Sequence, residues 1–209
     1  HKVDVLEIAD LATDRATLIG AANTLIFRKD GKIHADNTDG YGFIANLKQG
    51  APGWAPSIGP AAVLGAGGAA RAVIASLIDV GVQEIFLSNR TRPKGEALKS
   101  SFGTKITVVD WVQAGNMLED AATVINTTSL GMTGKPEFRV PLDGLRRGTV
   151  VTDLVYSPLR TRLLIEAEAA GCVAVDGLGM LLHQAVPGFE RWFGVRPEVD
   201  VDTRAAVLA

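Results

Sequence analysis

The residues of this 209-residue chain best suited to chemistry lie in "VLGAGGAARAV", where Gly65, Gly67 and Ala70 stand in a G-x-G-x-x-A pattern. The run follows an apolar stretch and opens a helical pattern, the setting in which such glycines hold a dinucleotide. Gly65 permits a tight turn, Gly67 lets a pyrophosphate approach the backbone, and small Ala70 lets helix and strand pack closely. The unpaired N–H groups and positive dipole end of the helix then face the phosphates. Gly65, Gly67, Gly68 and Ala69 are therefore candidate cofactor-binding positions. Glycine-rich turns are common; what separates this one is that strand, helix and second strand all fall where the motif needs them.

The end of that second strand meets the adenosine ribose, and an NAD site places an Asp or Glu there to accept from the 2′-hydroxyl. Here the chain reads "FLSNRTRPK", with Asn89, Arg90 and Thr91 in the acidic residue's place. A planar guanidinium can stack on adenine and face a 2′-phosphate, while Asn89 and Thr91 can donate hydrogen bonds. The cofactor predicted is NADP. Lys94 and Arg92 add positive charge, and read equally well as solvated turn residues.

Hydride transfer at a carbinol carbon also moves a proton to or from its oxygen, so a titratable side chain must stand beside that oxygen. None of His1, His34 and His183 has a partner pattern, and each reads as a surface or core side chain. No metal site is expected, because ligand spacing is absent. The single cysteine, Cys172 in "GCVAVDG", excludes an internal disulfide, suits a reducing cytoplasm and reads as a small buried hydrophobe. A formal net charge of -2 with interspersed signs offers no stripe for nucleic acid or anionic lipid. No apolar run is long enough to span a membrane. The partners left are small molecules and other protein chains.

Several elements must position these residues. Residues 3–18 carry apolar side chains at helical spacing. "ANTLIFRKDGKIHADNT" alternates around Asp30-Gly31 and predicts a hairpin, and "GYGFIANLKQG" returns to helix before a Gly- and Pro-rich loop. From Ala61 onward, "AAVLGAGG", "EIFLSN", "KITVVD", "TVINTT", "GTVVTDLV" and "CVAVDG" are the nearly continuous apolar runs of buried parallel strands. Helical patterns lie between them, notably from Ala69 to Val80 before Gly81 and from Thr161 to Ala170 before Gly171. A last helical region, "MLLHQAVPGFERWFG", should be kinked or broken by Pro187. Strand and helix alternating predict an α/β fold with a Rossmann-like, doubly wound parallel sheet.

In order along the chain, "HK", "IGAANT", "DNTDGYGF", "LGAGGAAR", "NRT", "INTTSLGM", "DLVYSPLRTRLL" and "DGLGMLLHQA" resemble the shikimate dehydrogenase family. The resemblance covers essentially the whole chain. It implies the reversible, NADP-dependent reduction of 3-dehydroshikimate to shikimate on the route to chorismate and the aromatic amino acids, by a cytoplasmic monomer or homodimer. By the same resemblance, Lys2 is the acid/base and Asp39 its paired carboxylate. Asn23 and Gln184 bind substrate hydroxyls, and Tyr156 lies beside the substrate. Asn126 to Ser129, Thr127 among them, border the nicotinamide half with Met132, while Gly177 and Met180 help place its ring. Taken without the resemblance, Asp39 could cap the following helix, Asn23 could be a turn residue, and Met180 could be core.

The resemblance further implies a smaller discontinuous α/β substrate domain, residues 1–39 and 177–209, around an NADP domain of residues 40–176, with the chemistry in a closing cleft. It also implies a preceding segment that carries a Ser-x-Ser pair for the substrate carboxylate. The opening "HKVDV", with neither initiator Met nor signal-peptide pattern, is thus expected to lack its natural N-terminus. Lys94 stands where an arginine is common, and Arg162 where a proline is. Two rivals compete with this reading. An NAD-dependent quinate/shikimate dehydrogenase would favour an acidic residue at Arg90. A non-catalytic NADP-binding regulator would have no need of Lys2, Asp39, Asn23 and Gln184 together.

Overall fold

The helical spacing of residues 3–18 does not become one helix. In the computed structural model, which describes residues 1–209, it divides into α1 (Lys2–Ile8) and α2 (Asp14–Ile19), with a short strand, β1 (Leu11–Ala12), between them. Two interactions impose the break. The Thr13 hydroxyl caps α2 by accepting from the Ala16 N–H at 3.3 Å, and Leu11–Ala12 pair in parallel with β3 (Ile33–Asp36). β2 (Thr24–Phe27) and β3 form the expected hairpin, with Gly31 at φ 80° in its turn. The small sheet therefore runs β1-β3-β2.

At the end of β3 the buried Asp36 carboxylate ties this unit together. It accepts from Thr13 Oγ1 at 2.8 Å, Arg15 Nε at 2.6 Å and Arg191 Nη1 at 2.9 Å. Burial by itself would raise the carboxyl's pKa, but the bonds from Arg15 and Thr13 outweigh it and hold Asp36 below the usual carboxylate range.

After α3 (Asp39–Gly50) the six apolar runs become six strands: β4 (Ala61–Leu64), β5 (Ile85–Ser88), β6 (Ile106–Val109), β7 (Thr123–Asn126), β8 (Val150–Asp153) and β9 (Val173–Val175). All pair in parallel, in the order β6-β5-β4-β7-β8-β9. Both faces are covered. Ala61 and Val63 belong to one apolar core, Ala62 and Leu64 to the other, which is why these strands read as continuous apolar runs. The helices α4 (Gly68–Asp79), α5 (Arg92–Phe102) and α6 (Arg162–Ala169) complete the doubly wound unit. Strand order reverses between β4 and β7, so a crevice opens at their carboxyl ends, where ligands of such folds bind.

The chain ends in α7 (Leu178–Phe193) and α8 (Val201–Leu208). Of the kink or break expected at Pro187, the break does not occur: the proline lies inside α7 without ending it. Packing outweighs the lost hydrogen bond: the helix beyond the proline is pinned by Trp192 Nε1 donating to the Leu25 carbonyl at 2.9 Å and by Arg191 on Asp36. α7 crosses α3 so closely that a Cβ on Gly42 would stand 2.6 Å from the Gln184 Cβ and 2.7 Å from its backbone nitrogen. Only glycine permits that approach, and it carries Gln184 against the start of α3. No helix is long and apolar enough to cross a membrane.

Candidate active site

Four of the residues singled out from sequence meet in one hydrogen-bonded chain. Lys2, on the first turn of α1, donates from Nζ to Asp39 Oδ2 at 2.7 Å. Asp39, on the first turn of α3, accepts at its other oxygen from Asn23 Nδ2 at 2.9 Å. The same Asn23 nitrogen donates to Gln184 Oε1 at 2.9 Å. Asp39 does not use its side chain as a cap; Thr38 occupies the cap position. The lysine side chain is 55% exposed and the aspartate 13%, so an accessible ammonium rests on an enclosed carboxylate. That arrangement suits exchange of a proton with a molecule in the cleft while the carboxylate holds the nitrogen in place.

Sequence reasoning missed the residues that hold this cluster. Asn23 Oδ1 accepts from the Thr38 backbone N–H at 2.9 Å, the Thr38 hydroxyl at 3.1 Å and the Thr24 hydroxyl at 3.0 Å. Asn37 Oδ1 accepts from the Asp39 N–H at 3.0 Å, and Asn37 Nδ2 donates to the Ala21 carbonyl. Thr38 and Asn37 are both buried, and "DNTDG" read as their setting was the only sequence signal available. Main chain joins the cluster too: the Ala22 N–H donates to the Lys2 carbonyl at 2.8 Å.

α7 links this cluster to the crevice. Gly177 caps the helix and lies against the end of β8, where an added Cβ would stand 2.6 Å from the Leu154 carbonyl oxygen. Met180 is half-buried against the core and Gln184 lies one turn on, about 6 Å along the same face at 1.5 Å per residue. Tyr156 is exposed in the loop after β8 and enters no hydrogen bond with the cluster. Beside that loop, Asn126 Nδ2 donates to Asp153 Oδ1 at 2.9 Å, and Asn126 Oδ1 accepts from Thr128. Asp153 also accepts from Thr161 and the Val155 N–H, and burial pushes its pKa up despite those bonds. Asn126 is thereby a buried brace. The Thr127 hydroxyl is likewise engaged, donating to the Leu64 carbonyl at 2.7 Å, whereas Ser129 is exposed and Met132 half-buried in the same loop.

At the crevice, Gly65 takes φ 105°, and a Cβ there would stand 2.7 Å from Thr127 Oγ1, so both backbone and space demand glycine. Gly67 and Gly68 are exposed and open on the side where a Cβ would project, and Ala70 is fully buried beneath them. Asn89 braces the loop that carries these glycines. Its Oδ1 accepts from the Ala66 N–H at 3.1 Å and its Nδ2 donates to the Thr91 carbonyl at 2.8 Å, so it ties the glycine loop to the next turn. Arg90 is exposed and forms no ion pair, while Arg92 is engaged by Glu96 at 3.0 Å and Asp110 at 2.6 Å. Thr91 and Lys94 are exposed beside Arg90. A phosphate arriving here meets one uncommitted guanidinium, not two.

A family model described as "Shikimate / quinate 5-dehydrogenase" matches residues 58–133, and one described as "Shikimate 5'-dehydrogenase C-terminal domain" matches residues 177–207. The chain is 76% identical over 209 residues to a "Shikimate dehydrogenase (NADP(+))" of Cereibacter sphaeroides, covering all of itself and 75% of that relative. It is 68% identical over 209 residues to the protein of that name from Paracoccus denitrificans, covering 74% of it. The chain belongs to the shikimate dehydrogenase family. Among solved structures, it superposes on shikimate 5-dehydrogenase from Thermus thermophilus in complex with NADP(H) and shikimate, with TM-score 0.82, 34% identity, and 94% and 71% of the two chains covered. It also superposes on quinate dehydrogenase from Corynebacterium glutamicum in complex with NAD, with TM-score 0.90, 32% identity, and 99% and 74% covered.

Within this shikimate dehydrogenase fold, several groups stand apart from the cluster. His183 Nε2 lies 2.9 Å from Gln49 Oε1, with its pKa lowered first by burial and then by Arg204. Burial raises the Cys172 thiol, and its Sγ donates to the Arg146 carbonyl, as befits a packed side chain and not a nucleophile. No group of three or more His, Cys, Asp and Glu side chains is placed to hold a metal.

Proposed function

We propose that this chain acts as an NADP-dependent shikimate dehydrogenase, interconverting 3-dehydroshikimate and shikimate. The observation that carries the reading is the continuous chain Lys2–Asp39–Asn23–Gln184, which gathers residues from α1, α3, β2's approach and α7 into one polar group. The open glycine turn and the unpaired Arg90 fit NADP, which when bound supplies the hydride acceptor for shikimate oxidation and the donor for the reverse reaction.

Each chain residue has a task in that reaction. During oxidation the amine form of Lys2, which has released one proton to solvent from its exposed side, accepts at Nζ the proton leaving the carbinol oxygen; during reduction the resulting ammonium returns that proton and is reprotonated from solvent. Asp39 keeps Nζ in place and balances its charge. A substrate hydroxyl enters between Asn23 Nδ2 and Gln184 Oε1, replacing their 2.9 Å bond with one donor and one acceptor contact. The bonds from Thr24 and Thr38 keep the Asn23 amide oriented while that exchange occurs. Tyr156, exposed after β8, would pack beside the substrate ring, and Ser129, Met132, Gly177 and Met180 would border the nicotinamide half of the bound cofactor. The Thr127 hydroxyl keeps that loop on Leu64.

The division into residues 1–39 with 177–209 on the substrate side and 40–176 on the NADP side follows the same reading, with the α3–α7 crossing as the joint. The chain works as a monomer or homodimer. The test is NADPH formation from shikimate by the wild type and Lys2→Ala. The variant should lose about 10²- to 10⁴-fold in kcat, the span of general acid–base catalysis. Full activity in the variant, or none in the wild type, sinks the assignment. A second arm replaces NADP with NAD, and equal turnover with NAD would favour the quinate/shikimate rival.

A further inference from the structure

Arg71 belongs to the cofactor side of the fold by sequence, yet its side chain serves the other side. It lies on the first turn of α4, with its backbone N–H bonded to the Gly67 carbonyl at 3.2 Å. Its Nε donates to the Ile19 carbonyl at 2.7 Å and its Nη2 to the Leu18 carbonyl at 2.9 Å. Those are closing carbonyls of α2, groups that a helix of this kind leaves without partners inside itself. The guanidinium also stands over the Phe102 ring, 5.5 Å from its centroid, which limits its swing.

The residues just beyond that grip are the ones the chemistry needs. At Gly20, φ 73° turns the chain out of α2. Ala21 is then held by Asn37, Ala22 binds the Lys2 carbonyl at 2.8 Å, and Asn23 bonds both Asp39 and Gln184. One arginine therefore bridges the turn that would carry the pyrophosphate and the short segment that fixes Lys2 main chain and Asn23 side chain. Its planar fork matters, because two carbonyls on successive residues are met by two nitrogens of one rigid group.

We propose that Arg71 is a positioning residue that couples occupation of the glycine turn to the placement of Lys2 and Asn23, so that each ligand is bound more tightly in the presence of the other. The proposal rests on the reading of Lys2, Asp39, Asn23 and Gln184 as the substrate cluster. Linkage requires the coupling to be reciprocal between the two ligands.

The experiment measures dissociation constants of NADP⁺ and 3-dehydroshikimate, an oxidised pair that cannot react, by calorimetry, each alone and each with the other saturating, in wild type, Arg71→Met and Arg71→Lys. Wild type should show mutual tightening of about fivefold or more, the lower range of measured couplings. Arg71→Met should bring that factor to near one and lower kcat, with NADP⁺ binding in the absence of 3-dehydroshikimate unchanged within about twofold. Arg71→Lys, which keeps charge but not the fork, should fall between and guards against a Met variant that fails to fold. Absence of coupling in the wild type overturns the proposal, as does undiminished coupling in folded Arg71 variants. A loss explained entirely by weaker binary NADP⁺ binding does the same. Since these are binding measurements, they stand apart from the Lys2→Ala assay: loss of the acid/base reading would leave the coupling intact.

Discussion

Replacing Arg90 isolates the origin of the cofactor preference. The side chain is exposed and unpaired, so Arg90→Ala removes no internal bond and should leave the fold untouched. What is lost is a charge-assisted contact to the 2′-phosphate, worth about 1.5–3 kcal/mol. At 1.4 kcal/mol per decade this weakens NADP binding by about ten- to 150-fold. NAD carries no 2′-phosphate, and its affinity should change by less than about threefold. The neighbouring cations provide an internal scale. Lys94 is exposed and uncommitted, so Lys94→Ala should cost about two- to threefold through its field at the phosphate, an effect that salt screens. Arg92 is held by Glu96 and Asp110, and Arg92→Ala should stay within about twofold of wild type. The assay is steady-state kcat/KM with each cofactor at low and physiological ionic strength, supported by direct titration of NADP and NAD. If Arg92→Ala costs as much as Arg90→Ala, the ion pairs do not restrain Arg92 as argued. If NAD and NADP weaken in parallel, Arg90 contacts the adenosine and not the phosphate. Arg90→Asp goes further, repelling phosphate and offering an acceptor to a ribose hydroxyl, and should shift preference toward NAD.

Two more outcomes follow from packing and charge. Gly42→Ala places a Cβ 2.6 Å from the Gln184 Cβ and 2.7 Å from backbone, so α7 must move; a stability loss of about 1–3 kcal/mol by urea titration and a raised KM for shikimate are expected, and an unchanged KM would show that Gln184 tolerates the shift. Asp36→Asn strips a buried carboxylate from two half-exposed arginines and should cost about 3 kcal/mol at neutral pH, the low end for breaking a buried pair because the arginines can return to water. Because the native carboxyl is held below its ordinary range, this contribution is present above the unfolded pKa and lost as pH falls through the folded one. Urea midpoints of wild type and Asp36→Asn should accordingly converge in acid, and a gap that persists or widens there would refute the assigned role.

Periodicity and local chemistry were enough to read much of this molecule. Buried parallel strands are apolar on both faces, so the six runs from Ala61 to Val175 declared themselves, and Gly65, Gly67 and Ala70 could be placed at a strand-to-helix turn because that geometry admits few other residues. The Asp30-Gly31 hairpin was legible for the same local reason. Arg90 was separable from Arg92 only in part, since the partners that neutralise Arg92 lie four and eighteen residues away.

Tertiary contact decided the rest. Residues 3–18 have the spacing of one helix, yet pairing of Leu11–Ala12 with β3 and the Thr13 cap cut it in two. Pro187 is able to kink or break a helix, and anchors at Arg191 and Trp192 carry α7 past it without a break. Asn89 has the type of a ligand, and only the fold shows that it also braces the glycine loop through the Ala66 N–H and the Thr91 carbonyl. Gln184 lies 161 residues from Asn23, and no local pattern announces that they meet. That meeting depends on the absence of a side chain at Gly42, which lets α3 and α7 approach until both amides share one site. Sequence by itself determined which residues could bind a dinucleotide and which elements they begin; only the close packing of distant helices determined that Lys2, Asp39, Asn23 and Gln184 form a single polar group, because hydrogen bonds select partners by distance in space and not along the chain.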